Sequence, residues 1–293
     1  SDVYMRQVSG CASMDRVALQ LQWFAQAQFA GYYAADDLGI YEDYCLYVDI
    51  NEGGVDIVTQ KQLATGAVDF AVSWVPKALV SREQGADIVN VAQIMQRSGT
   101  IELAWSDSGI KRPADLAGKV VGNWAWGNEF ELLAGMWNAG IRSDDVFLVQ
   151  QSFDMLALLN GEIDAAQAMI YNEYAQMLES TNPATGLRVT ADDLSVIDWN
   201  DEGTAMLQDA LWADGARLGN ADYADITTRF VAASLEGWMH CRDNSAECVE
   251  IVLNNGSSLG ASHQAWQMNE INGLIWPSPV SYTHLTLPTI LLV

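Results

Sequence analysis

The sequence predicts an α/β protein of two lobes, each a mostly parallel sheet with flanking helices. Two observations carry that expectation. Strand-like and helix-like stretches alternate from Val17 onward, and the alternation restarts at Lys119, which is the signature of parallel-sheet units. A Leu-x-x-Gly-x-x-Asp-x-Ala echo also links the two runs. It reads Leu63-Ala-Thr-Gly66-Ala-Val-Asp69-Phe-Ala71 in the first and Leu158-Leu-Asn-Gly161-Glu-Ile-Asp164-Ala-Ala166 in the second. In each copy a helix ends on a glycine suited to the left-handed C-cap, and a strand begins near the Asp.

The elements follow in order. Val17–Trp23 alternates apolar and polar residues and predicts a strand. A helix over Phe29–Leu38 stops at Gly39, and Leu46–Ile50 is a second strand. Gly53-Gly54 opens a helix to Ala64, Val68–Val72 is a third strand, and Pro76 opens a further helix. Ile88–Met95 and Ile101–Trp105 are strand-like. The second run predicts strands at Lys119–Asn123, Val146–Val149 and Ile163–Met169, with helices at Asn128–Asn138, Phe153–Leu159 and Tyr171–Leu178. Leu194–Ile197 is the last predicted strand, and Asp201–Ile275 has a helical pattern throughout. The chain would leave the first lobe near Ile94–Ile101 and return near Ile197–Asn200. Lobe 1 is then residues 16–97 plus 200–279, lobe 2 is 98–199, and the two crossings form a hinge.

The chain has 293 residues, half of them apolar, with 11 Trp, 10 Tyr and 7 Phe. That is enough to build such a core. No apolar run reaches the ~18 residues of a membrane span. Acids outnumber bases 38 to 14, for a net charge of −24. So acidic a surface repels phosphate backbones and anionic bilayers, which argues against nucleic acid as a partner.

Several motifs resemble a known family. They are Gln22-Trp23-Phe24-Ala25-Gln26-Ala27-Gln28-Phe29-Ala30-Gly31-Tyr32-Tyr33-Ala34-Ala35, Leu38-Gly39-Ile40-Tyr41, Gly53-Gly54-Val55-Asp56 and Gly66-Ala-Val-Asp69-Phe. Further along come Ile110-Lys-Arg-Pro113-Ala-Asp-Leu116-Ala-Gly118-Lys119, Gly122-Asn-Trp124-Ala-Trp126-Gly127 and Ala168-Met169-Ile170-Tyr171-Asn172-Glu173. Together, over residues 17–275, they resemble the family that binds thiamine pyrimidine precursors. It includes solute-binding proteins of ABC importers and the related eukaryotic pyrimidine synthases. The resemblance implies a type II periplasmic-binding-protein-like fold closing on a small solute, an importer permease as partner, and an extracytoplasmic location.

Site residues can be chosen independently of the family, because ligands of open α/β sheets lie beyond the carboxyl ends of the strands. That rule selects Trp23 and Gln26, Ser73 and Trp74, Gln96 and Ser98 at the hinge, and Trp124, Trp126, Asn128 and Glu129. Tyr171, Asn172 and Glu173 complete the set. Aromatic faces, amides and a carboxylate suit a planar nitrogen heterocycle. An anion such as sulfonate would want Arg or free helix N-termini, and Asp56 and Glu129 stand in the first turns of two predicted helices. Each Trp alone reads equally well as a core residue, Glu129 as a helix-start acid and Glu173 as a solvated one.

Catalytic signals are thin. The three histidines, His240, His263 and His284, form no metal or nucleophile motif. The alternative function is a pyrimidine synthase using pyridoxal phosphate on a lysine, for which Lys61 is the first-lobe position. No His precedes residue 240, and the cysteine-rich motif of those enzymes is absent. Lys61 therefore reads as a solvated helix residue, and no cofactor is expected.

The four cysteines divide unevenly. One unbroken helix would hold Cys241 and Cys248 about 10 Å apart along its axis, beyond the ~7 Å limit for a bridge. Arg242-Asp243-Asn244-Ser245 supplies a turn, with Asn244 and Glu247 as a capping-box pair, so a Cys241–Cys248 disulfide is expected. Cys45 reads as a small core residue. Val8-Ser9-Gly10-Cys11 resembles a lipobox, making Cys11 a candidate lipid anchor and residues 1–15 a leader remnant. Val280–Thr289 resembles translated sequencing adapter, so residues 280–293 read as a non-native tail.

Overall fold

The computed structural model describes residues 11–277. The predicted tail at 280–293, and residues 1–10 of the predicted leader remnant, lie outside the described residues.

β1 (Asp15–Gln20) runs into a 3-10 turn and helices α1 (Ala30–Asp37) and α2 (Ile40–Asp43). Then come β2 (Leu46–Asn51), α3 (Thr59–Ala64), β3 (Phe70–Ser73), α4 (Val75–Glu83) and β4 (Ile88–Gln93). The chain crosses to a second sheet made of β5 (Thr100–Trp105), β6 (Val120–Asn123), β7 (Phe147–Gln150), β8 (Ala165–Met169) and β9 (Leu194–Asp198). Helices α5 (Phe130–Asn138), α6 (Leu156–Leu159) and α7 (Glu173–Glu179) connect them. The return leads to β10 (Ala210–Asp214), then α8 (Ala221–Asp243), α9 (Ser245–Asn254) and α10 (Ala261–Ile275).

Two five-stranded sheets result, ordered β2-β1-β3-β10-β4 and β7-β6-β8-β5-β9. In each, four strands run one way and one runs against them. That strand is β10 in the first sheet and β5 in the second, each the first strand after a crossing. The sheets are thus mixed, mostly parallel in direction but antiparallel at half their pairings. Their central strands are buried on both faces, with every residue of β3 and β8 inside.

β10 corrects the expectation of helix throughout 201–275. Ala-Leu-Trp-Ala-Asp is a short run with four of five residues buried. Burial on both faces removes the polar–apolar alternation by which a strand is recognised. α8 packs on α1 at a glycine pair. A Cβ on Gly237 would fall 2.1 Å from the Gly31 carbonyl oxygen, and one on Gly31 would fall 2.2 Å from the Trp238 ring.

Side-chain amides tie the two crossings together. Asn200 Nδ2 donates to the Ser98 carbonyl (2.8 Å) and its Oδ1 accepts from the Ser98 N–H (3.2 Å). The Gly99 N–H donates to Gln208 Oε1 (2.8 Å), and Gln208 Nε2 donates to Thr100 Oγ1.

Cys241 and Cys248 are bridged, with Cα atoms 5.5 Å apart. Asn244 (φ −132°, ψ 50°) breaks the helix between them, so α8 and α9 are separate. The expected capping box does not form. The Asn244 amide donates back to the His240 carbonyl (3.1 Å), while Glu247 pairs with His240 Nε2 (2.9 Å). A second bridge corrects two expectations at once. Cys11 and Cys45, with Cα atoms 5.6 Å apart, are joined. Cys45 is therefore no lone core thiol, and the Cys11 sulfur is engaged in a bond that excludes a lipid thioether.

Candidate functional site

The carboxyl ends of the strands of both sheets face a cleft of about 820 Å³. Trp23 follows β1, Trp74 follows β3, Trp124 and Trp126 follow β6, Phe153 follows β7, and Tyr171-Asn172-Glu173 follow β8. Ten of the thirteen residues selected from sequence line it: Trp23, Gln26, Trp74, Trp124, Trp126, Asn128, Glu129, Tyr171, Asn172 and Glu173. Ser73 and Gln96 do not. Ser73 is fully buried, its Oγ accepting from Gln60 Nε2 (2.5 Å) and donating to the Trp74 carbonyl (3.2 Å). Gln96 sits in the crossing, its N–H on the Leu274 carbonyl (2.9 Å) and its Nε2 on the Gln93 carbonyl (2.6 Å). Successive side chains of a strand point to opposite faces, which turns Ser73 of β3 into the protein, while Gln96 lies three residues past β4 in the crossing. Ser98, considered beside Gln96, is likewise buried in the crossing.

Aromatic rings span the cleft. The Trp23 ring lies 4.7 Å from that of Phe153, tilted by 51°, and Phe153 stacks on Trp124 at 6.1 Å and 19°. Trp124 is otherwise buried, with Nε1 donating to the Ser152 carbonyl (3.2 Å). Trp126 differs sharply, being 82% exposed. Its backbone is left-handed, as are those of Ala125 and Gly127 (φ 58°, 56° and 89° for residues 125–127). For L residues that conformation costs roughly 1–2 kcal/mol each, and it holds because neighbours over-determine it. Asn123 Oδ1 accepts from the Ala125 N–H (2.8 Å), Asn128 Nδ2 donates to the Ala125 carbonyl (2.7 Å), and Glu129 Oε2 accepts from the Gly127 N–H (2.9 Å). Glu129 thus caps this loop while lining the cleft, and the loop holds an indole out at the cleft mouth.

Glu173 is not solvated. Glu173 is 3% exposed; its Oε2 accepts from the Met169 N–H (2.9 Å) and its Oε1 from Asn172 Nδ2 (2.7 Å). Burial, only partly offset by these donors, pushes its carboxyl up to about 7.

Sequence reasoning missed a polar cluster on the opposite wall. Gln22 Nε2 (2.5 Å) and Gln28 Nε2 (2.9 Å) both donate to Asp209, and Gln26 Nε2 donates to Gln28 Oε1 (2.5 Å). Burial pushes the Asp209 carboxyl up to about 7. Lys77 also lines the cleft, with its Nζ 5.2 Å from the Trp74 ring centre. Burial lowers its pKa to about 8, against the pull of Asp209 and Glu129. Asp209 precedes β10, the strand hidden from the sequence pattern. Lys77 lies in the first turn of α4, one helical step beyond the strand end, and extending the strand-end rule by a turn would have found it. Phe153 and Gln150 were within reach of the same rule, since both stand at the end of β7.

This architecture is that of the periplasmic solute-binding proteins. The aliphatic sulphonate-binding protein SsuA of Escherichia coli superposes with a TM-score of 0.68 at 17% identity, covering 88% of this chain and 79% of that one. The chain belongs to the NMT1/THI5-like family, whose pattern matches residues 26–248, and the family resemblance seen in the motifs is borne out. It is 29% identical to a Haemophilus influenzae protein named for thiamine biosynthesis, over 52% of this chain and 49% of that one. It is 22% identical to the formylaminopyrimidine-binding protein of Halalkalibacterium halodurans, over 83% and 71%. It is 26% identical to the riboflavin-binding protein RibY of Chloroflexus aurantiacus, over 82% and 66%. The chain spans about half the length of the first of these relatives.

Proposed function

We propose that this protein is an extracytoplasmic solute-binding protein that delivers a small planar nitrogen heterocycle to an ABC importer permease. The observation that carries the reading is the cleft itself: tryptophans from both sheets, amides, and a buried carboxylate at its edge. Stacking on indole and N–H donation to Glu173 are the contacts a pyrimidine-type ring needs. The relatives named for formylaminopyrimidine and riboflavin both take rings of this kind. Two disulfides support an oxidising compartment.

An anionic solute is disfavoured. Asp56, Glu129 and Glu173 line the cleft, and among the described lining residues Lys77 is the only cation. The same balance opposes the phosphate of pyridoxal phosphate, and with it the synthase alternative. Lys61 stands exposed on α3, outside the cleft lining.

The ligand enters between a lobe of residues 16–97 plus 200–279 and a lobe of residues 98–199, and the lobes close by rotation at the two crossings. The test is a thermal-shift panel on the full chain with an aminopyrimidine, riboflavin and an alkanesulfonate, followed by small-angle scattering with any hit. A heterocycle hit with compaction is the expected result. A sulfonate as the only hit, or a hit without compaction, would overturn the ligand class or the closure respectively.

A further inference from the structure

His263 does not line the cleft. It stands on α10, which packs into the core of the first sheet, yet its ring is buried against α7 of the second. Its side chain is 4% exposed. Nδ1 is 3.1 Å from Glu179 Oε2 and Nε2 is 2.9 Å from Asn172 Oδ1. The Asn172 amide in turn donates to Glu173 Oε1 at 2.7 Å. An unbroken hydrogen-bonded chain therefore runs from Glu179, whose side chain is 40% exposed, through His263 and Asn172 to the cleft carboxylate.

The polarity of the chain follows from its ends. Glu179 and ionised Glu173 only accept. Glu173 already takes the Met169 N–H, so the Asn172 amide must turn its NH2 toward Glu173 and its oxygen toward the imidazole. Nε2 of His263 then faces an amide oxygen and carries a proton, while Glu179, 40% exposed, can also be satisfied by solvent. The acids on its hydrogen-bonded chain are Glu179, met directly, and Glu173, met through Asn172, both of α7.

We propose that His263 is a positioning residue for the cleft: held between the two sheets' helices with a proton on Nε2, it fixes the Asn172 amide so that Glu173 is presented to the ligand as an acceptor. The cleft then reads ligand N–H donors at this edge and rejects carbonyl oxygens. If His263 were neutral with its proton on Nδ1, the amide would reverse, and Glu173 would be satisfied only as the acid, a donor.

This inference rests on the heterocycle reading for its ligand class but not for its test. Imidazole 15N spectra of the full chain at pH 7.5 report ring protonation directly, with His263 assigned by its loss in His263→Gln. A proton on Nε2 is the expected result; a ring protonated on Nδ1 alone overturns the proposal whatever the protein binds. The second arm compares an aminopyrimidine with a pyrimidinone of the same shape. His263→Gln, which keeps a donor toward Asn172, should hold the wild-type preference for the amine within about threefold. His263→Leu should lose tenfold or more of that preference at unchanged circular dichroism. Equal weakening of both probes by His263→Leu would reduce His263 to a packing residue and overturn the proposal. If wild type binds neither probe, the heterocycle reading fails, while the 15N result still decides the protonation and amide orientation.

Discussion

Breaking the disulfides one at a time should separate them by the length of chain each closes. In the chain-entropy account a bridge removes about 2.1 + 1.5R ln n cal/mol/K from the unfolded state. The sequence separations are 34 for Cys11–Cys45 and 7 for Cys241–Cys248. At 25 °C those loops correspond to about 3.8 and about 2.4 kcal/mol. Both bridges join elements packed on the first sheet, so the same cooperative unit reports both. At about 3 °C per kcal/mol for a unit of this size, the losses are about 11 and about 7 °C in Tm. Direct Cys→Ala comparison would mix in lost sulfur packing, because Cys241 and Cys248 are wholly buried. The clean assay uses two variants, each retaining one bridge, scanned by calorimetry oxidised and fully reduced. The variant retaining Cys11–Cys45 should show the larger drop on reduction. An equal or larger drop for the variant retaining Cys241–Cys248 would refute the loop-length reasoning and place the stabilisation in the folded state.

Three further outcomes are expected. Trp126→Ala should leave Tm within about 1 °C, since the indole is 82% exposed. It should weaken heterocycle binding by about 1–3 kcal/mol in isothermal titration, the value of lost stacking and apolar contact. Burial raises Glu131, Glu173 and Asp209 to about 7 each. A carboxyl raised in the fold stabilises below its ordinary range and loses that contribution as pH climbs through about 7. Tm of the ligand-free protein should therefore fall between pH 5.5 and 8, and Asp209→Asn should flatten that fall. Gly237→Ala forces a Cβ to 2.1 Å from the Gly31 oxygen and should destabilise by about 1–3 kcal/mol in urea titration.

Much of the fold was legible because its signals are local. Nine of the ten strands among the described residues announce themselves through alternation, β-branched residues or bounding glycines, and the tenth was lost because β10 is apolar on both faces. The Asn244 break was legible because Cys241 and Cys248 cannot meet on one helix. The capping detail was not, since Glu247 pairs instead with His240, seven positions back across the helix break. Cys11 and Cys45 could not be paired by reading, because their bridge depends on where β1 and β2 lie side by side. At the site, strand ends named Trp23, Trp74, Trp124 and Glu173, while Ser73 and Gln96 turn into protein instead.

The sequence by itself determined the α/β class, the strand ends at which a cleft could open, and the aromatic and amide character of that cleft. Those properties are written in period, composition and punctuation over a few residues at a time. Only the tertiary structure decided that Asp209 anchors Gln22 and Gln28, that Lys77 joins the acids, and that His263 reaches Glu173 through Asn172. These contacts join residues separated by 91 to 187 positions for His263–Asn172, Gln28–Asp209 and Gln22–Asp209. A hydrogen bond depends on ångströms and angles between side chains, and those distances are set by how two sheets and their helices pack, which no local pattern in the chain encodes.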